Sequence, residues 1–138
     1  NIIPAPDDKS TLLDKMIAEG KILYFIQSLF PDKKENDIIK YDEKHWKFCV
    51  ESEPQIWAFF LNENILYNTD FEQFKYVKDG PTTYGMPKES PGRVGAWLGW
   101  QIVKAYMKEN PKTTLKQLVA IKDGQKILTA SKYKPKTN

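Results

Sequence analysis

The chain has 138 residues and 16.1 kDa, 41% hydrophobic and 13% aromatic, with Cys49 as its single cysteine. A chain this long buries roughly two thirds of the surface its unfolded form exposes, which makes one ordinary domain and excludes a disordered chain, and a lone cysteine excludes both an internal disulfide and a cysteine-based zinc site. The net charge of +3 is uneven, because residues 1–103 carry 12 basic and 16 acidic side chains whereas residues 104–138 carry nine lysines against Glu109 and Asp123.

Apolar runs such as 22–26 and 57–61 fall far short of the roughly 20 residues needed to cross a bilayer. Residues 1–8, with Pro4, Pro6, Asp7 and Asp8, lack the basic and apolar halves of a secretory signal, so any export signal is expected upstream. Ser10 or Asp8 can cap a first helix over about 11–30, in which Leu12, Leu13, Met16, Ile17, Leu23 and Tyr24 recur near helical spacing until Pro31. Its second half is apolar all round, which predicts a central helix covered by several neighbours.

Residues 32–36 read as a charged loop. Asp42 then caps a short helix that ends near Ser52 and places Trp46, Cys49 and Val50 on one face. Pro54 suits the first turn of a helix over about 54–67 that buries Trp57, Phe60, Leu61 and Ile65. Residues 68–89, with Gly80-Pro81, Gly85 and Pro87, read as a long ordered loop with a brief extended piece at 74–77.

Ser90 as cap and Pro91 as first helical residue predict a helix over 91–109. Within it Gly92, Gly95 and Gly99 recur at steps of three and four, and a glycine inside a helix costs up to about 1 kcal/mol relative to alanine. Such a stripe lets another backbone or a bound group come very close. Thr114 with Gln117 has capping-box spacing, and Asp123 can start a last helix carrying Ile127 and Leu128 before a lysine-rich tail. The expected fold is all-α, a single helical domain over residues 1–138 with one long ordered loop.

Little in the chain promises catalysis. A zincin needs two histidines one helical turn apart, and His45 is the only histidine. Cys49 has His45 at i−4 but no third orienting group, so buried packing is its simpler role. Glu19 sits mid-helix before the apolar half, either paired with Lys15 or placed as a metal ligand whose histidines lie outside this chain. Ser90, Gly92 and Arg93 can hold a carboxylate or phosphate where free N–H groups favour an anion, or Arg93 can pair with Glu89 or another acid of the loop and fix the helix entry. No phosphate loop, nucleophile elbow, dinucleotide fingerprint or nucleic-acid module is present, so neither a cofactor nor a nucleic-acid partner is expected.

Five runs in this order carry a resemblance: 20–25 (Gly-Lys-Ile-Leu-Tyr-Phe), 53–60 (Glu-Pro-Gln-Ile-Trp-Ala-Phe-Phe), 66–70 (Leu-Tyr-Asn-Thr-Asp), 89–103 (Glu-Ser-Pro-Gly-Arg-Val-Gly-Ala-Trp-Leu-Gly-Trp-Gln-Ile-Val) and 131–135 (Ser-Lys-Tyr-Lys-Pro). Together they resemble the C-terminal half of GldB-family gliding lipoproteins over residues 12–135. The resemblance implies a lipidated cysteine in a missing N-terminal half, anchoring in the envelope of Bacteroidetes-type bacteria, periplasmic exposure, and protein partners in the gliding and associated secretion machinery. It implies a noncatalytic interaction component, with the 68–89 loop and the helix bearing Trp97 and Trp100 as partner surface. The family is also distantly similar to zinc metallopeptidases with a zincin-like fold. There Glu19-Gly20 would mark a remnant metal position, and an enzyme would need a histidine pair from the missing half.

Overall fold

The computed structural model describes residues 10–62 and 64–135, which form seven α-helices and one 3₁₀ segment, with no strand among them. In order these are α1 (Leu12–Leu29), α2 (Glu35–Ile39), α3 (Glu43–Glu51), α4 (Glu53–Asn62), the 3₁₀ segment Phe71–Tyr76, α5 (Val94–Glu109), α6 (Leu115–Ala120) and α7 (Gly124–Ser131). The expected all-α domain is the one observed.

A reciprocal pair of hydrogen bonds sets the start of α1. Thr11, rather than Ser10, is the N-cap: its hydroxyl accepts from the Asp14 N–H while the Asp14 carboxylate accepts from the Thr11 N–H, a complete capping box. Asp8, the other expected cap, lies outside the described residues. Two donors of the first turn are met from across the chain, Leu12 N–H by the Asn68 carbonyl at 3.0 Å and Leu13 N–H by that of Leu66 at 2.8 Å. The 64–70 segment is thereby strapped to the start of α1.

The interior is built where α1 crosses α5. Leu12, Leu13, Met16 and Ile17 meet Val94, Leu98, Ile102 and Val103, all essentially inaccessible to solvent. The glycines make this approach possible. A Cβ on Gly99 would fall inside the Met16 carbonyl, and a Cβ on Gly20 would fall against the Gly99 carbonyl and 2.6 Å from the Trp100 nitrogen. The glycine stripe read from the sequence is therefore a row of close backbone approaches to three different partners: Gly99 meets α1 at Met16 and Gly20, Gly95 meets the Tyr76 carbonyl, and Gly92 meets Gly80.

Central as α1 is, its second half is less covered than its composition suggests: Ile22 is 40% exposed and Leu29 57%. Lys21, in the same stretch, is buried instead. Its ammonium donates to the Ile121 carbonyl, and burial drives its pKa down while nearby Asp14 opposes that. Asp14 also accepts from the Gly124 N–H at 2.7 Å, so one carboxylate ties the start of α1 to the start of α7.

Four local readings are corrected. Part of the charged 32–36 loop opens α2, whose short turn buries Ile38 and Ile39 and ends on Lys40 in the left-handed region. Val50 faces solvent, because the buried side of α3 centres on Cys49 with Trp46 beside it. The helix expected over 54–67 stops at Asn62; it buries Ile56 and Phe60 and leaves Leu61 exposed. The extended piece expected at 74–77 is instead part of the 3₁₀ segment, which turns Tyr76 onto the Phe59 and Phe60 rings. The caps expected at Asp42, Thr114 and Asp123 are all formed.

Candidate functional site

The helix expected from Pro91 begins three residues later, at Val94, and Ser90 does not cap it. Nor does Arg93 pair with Glu89, the first acid expected for it. The reason lies in the long loop. Thr83, only 1% exposed, donates its hydroxyl to the Pro91 carbonyl at 2.7 Å and accepts the Val94 N–H at 3.1 Å, so the cap is supplied from eleven residues upstream. Ser90 turns away, its hydroxyl 2.8 Å from that of Thr82. Replacing Thr83 with the near-isosteric valine removes the cap and leaves a buried donor and acceptor unmet. We expect a loss of about 2–3 kcal/mol in urea unfolding at unchanged m-value. Ser90→Ala, which removes the bond to exposed Thr82 and only a long 3.5 Å acceptor for the Thr83 N–H, should cost less, about 1 kcal/mol.

Arg93 holds the junction together. It is the N-cap of α5 with φ 63°, a left-handed conformation that a side chain adopts at a cost of about 1–2 kcal/mol. Its N–H donates to the Lys78 carbonyl at 3.1 Å, its Nη1 to the Ile39 carbonyl at 2.9 Å, and its Nε lies 3.7 Å from the Asp79 carboxylate. The acid that pairs with it is thus Asp79 of the loop. Beside it the Tyr41 hydroxyl donates to the Gly92 carbonyl at 2.6 Å, and Gly92 sits so close to Gly80 that a Cβ would strike its backbone. Arg93 and Tyr41 therefore pin α2, the 78–83 loop and the start of α5 to one point.

A cavity of about 230 Å³ opens on this junction, lined among others by Lys40, Tyr41, His45, Asp79, Gly92 and Arg93. Glu19 of α1 stands within electrostatic reach from the other side. Burial raises its pKa, Arg93 lowers it and Asp79 raises it. His45 turns Nδ1 toward Asp42 at 3.0 Å, and the Cys49 thiol is fully buried, its pKa pushed up to about 12 by burial first and Glu53 second. That is the opposite of an activated nucleophile. Among the described residues no three His, Cys, Asp or Glu side chains gather as a metal would require.

The residues singled out in the sequence thus fall into two groups. Ser90, Gly92 and Arg93 share the junction, with Glu19 at its edge. Trp97 and Trp100 lie in the interior, 1% and 0% exposed, beneath Trp46, whose ring centroid is 6.4 Å and 6.2 Å from theirs. Any surface that α5 offers there is that of the residues covering the two indoles. The Trp100 indole N–H donates to Gln27, which donates to Glu35, and Glu35 pairs with Lys104 at 2.6 Å over the Trp100 ring. The Trp97 N–H is buried without an acceptor. Sequence reasoning missed Tyr41, Asp79 and Thr83. No local spacing marks them, because each acts on a group between 8 and 51 residues away.

The family model described as Gliding motility protein GldB matches residues 1–135. No curated protein and no solved structure matches the chain.

Proposed function

Because the chain belongs to the family of the gliding motility protein GldB, we propose that it is a noncatalytic, lipid-anchored component of the cell envelope that serves gliding motility and its associated secretion machinery through protein contacts. The family match across nearly the whole chain carries this reading. No helix among the described residues is long and apolar enough to cross a membrane. The lipid would sit on a cysteine outside this chain, on the periplasmic side of a Bacteroidetes-type envelope. The way the polar groups of the junction are used supports the noncatalytic part. Arg93, Thr83, Tyr41 and Ser90 each hold loop to helix, and the buried thiol is held neutral. No cofactor is assigned to it.

The expected partner surface is the 68–89 loop with the exposed side of the junction, around the cavity that Arg93 lines; a carboxylate or phosphate held by Ser90, Gly92 and Arg93 belongs to the same proposal. Metal analysis of the full-length protein isolated without chelator, beside Glu19→Ala, tests the reading. We expect no stoichiometric zinc in either. Zinc bound by the wild type and lost in the variant would contradict it, and would point to a metallopeptidase completed by histidines from another segment.

A further inference from the structure

Charge on this molecule is segregated. Residues 104–138 carry a formal +7 and the preceding residues −4. In the fold, two of the C-terminal lysines are occupied, Lys104 by Glu35 at 2.6 Å and Lys132 by Glu109 at 3.1 Å. Lys108, Lys112, Lys116, Lys122, Lys126 and Lys134 are exposed, and none of them has a carboxylate within ion-pair distance among the described residues.

The way α6 and α7 pack decides where these lysines point. α6 buries Leu118, and α7 buries Gly124, Ile127 and Ser131, one stripe at helical spacing turned toward α5 and α1. Lys116 and Lys126 therefore stand on the opposite, outer side, with Lys112 and Lys122 at the turns that lead into the two helices. Asp123 is the sole acid between residues 110 and 131, and its carboxylate caps α7 through the Gln125 N–H. Beside Lys112 lies an open hollow lined by Asn110, Pro111, Thr113 and Gln117.

We propose that the outer face of this segment, presented by Lys112, Lys116, Lys122 and Lys126, rests on a bilayer surface of anionic lipid, whereas Lys108 and Lys134 line a separate hollow beside Glu51 and Glu53. The chemistry favours lipid over a protein. Protein interfaces are enriched in arginine and depleted in lysine, whereas this face carries exposed lysines and no arginine, with Asp123 and the half-exposed Tyr67, whose hydroxyl donates to Gln125, beside them. Flexible ammonium groups match a diffuse layer of headgroup charge, each adding about 1 kcal/mol when near the surface.

Vesicle sedimentation tests it, with phosphatidylcholine vesicles beside vesicles rich in phosphatidylglycerol. Wild-type protein should partition to the anionic vesicles alone and should leave them as salt is raised. The fourfold variant Lys112→Gln, Lys116→Gln, Lys122→Gln, Lys126→Gln should lose on the order of a thousandfold in partitioning, since roughly 1 kcal/mol per lysine is removed. A control removing equal charge elsewhere, Lys33→Gln, Lys34→Gln, Lys44→Gln, Lys47→Gln, should keep most of it. Equal loss in both variants, equal binding to both vesicles, or retention by immobilised polyglutamate with no binding to vesicles would each overturn the proposal.

Discussion

Gly99→Ala should destabilise the protein by about 3 kcal/mol or more, the reverse of what helix propensity predicts. In an open helix, alanine in place of glycine stabilises by about 1 kcal/mol. Here the added carbon falls on the carbonyl carbon and oxygen of Met16, main-chain atoms of α1 that no rotamer change can move aside. Relief requires α1 and α5 to part, and their crossing holds the greater share of the interior, from Leu12 and Met16 to Leu98 and Ile102. Overpacking a core by a methyl group costs about 1–3 kcal/mol where side chains can yield, and this site has none to yield. That loss is a large part of the total stability of a domain. Gly20→Ala strikes the same contact from α1 and should behave alike. Gly80→Ala, whose Cβ would meet only the Thr82 carbonyl at 3.4 Å, should cost little. Urea unfolding of the three variants makes the comparison, and a Gly99→Ala protein as stable as the wild type would refute the close crossing.

A second large effect is expected in alkali. Cys49, Tyr41 and Tyr133 are buried and hold their protons beyond their ordinary values of 9.0, 10.0 and 10.0, in each case through burial first. For Tyr133 the hydrogen bond to Glu53 adds to the same direction. A group whose folded pKa lies above its unfolded one supports the fold fully below the unfolded value, and that support is lost as pH rises toward the folded value. Cys49 should therefore weaken the fold from about pH 9 upward, by roughly 4 kcal/mol once pH reaches about 12. The two tyrosines add to the loss above pH 10. Lys21 acts oppositely, because its depressed pKa makes rising pH favour the fold until its ordinary value of 10.5 is passed. Three groups against one give a net fall in stability that steepens beyond pH 10. In Cys49→Ala the fall should set in at higher pH and be shallower than in the wild type, read from the pH dependence of the unfolding midpoint. An unchanged onset would remove Cys49 from the account.

Much of this architecture is written locally. Thr114 with Gln117, Asp42 and Asp123 announce helix starts by short-range chemistry, and each start is found where the side chain can reach its own first turn. The glycines of α5 likewise announce a close approach, although nothing local says that Gly20 and Met16 are what approaches. Readings fail where a distant group outbids a local one. Ser90-Pro91 has the form of a helix start, but Thr83 supplies the cap and Arg93 takes the left-handed turn. Lys21 has the form of a solvated charge, but the packing of α6 and α7 encloses it beside the Ile121 carbonyl. Of the junction, Ser90, Gly92 and Arg93 are visible in sequence as a cluster, whereas Tyr41, Asp79 and Thr83 join it only through the tertiary fold. Trp97 and Trp100 show why aromatic content alone does not locate a surface, since α5 turns both indoles inward beneath Trp46.

The central claim, a motility component that works by contact rather than by catalysis, is tested most directly in a gliding bacterium whose copy of this gene is deleted. Colony spreading is measured after complementation with Glu19→Gln, which keeps the shape of the half-buried side chain and removes its ability to ionise, bind metal firmly or act as a base. The account predicts spreading equal to that restored by the wild type at equal protein level. A Glu19→Gln protein that folds and accumulates normally yet leaves the colonies unable to spread would contradict it.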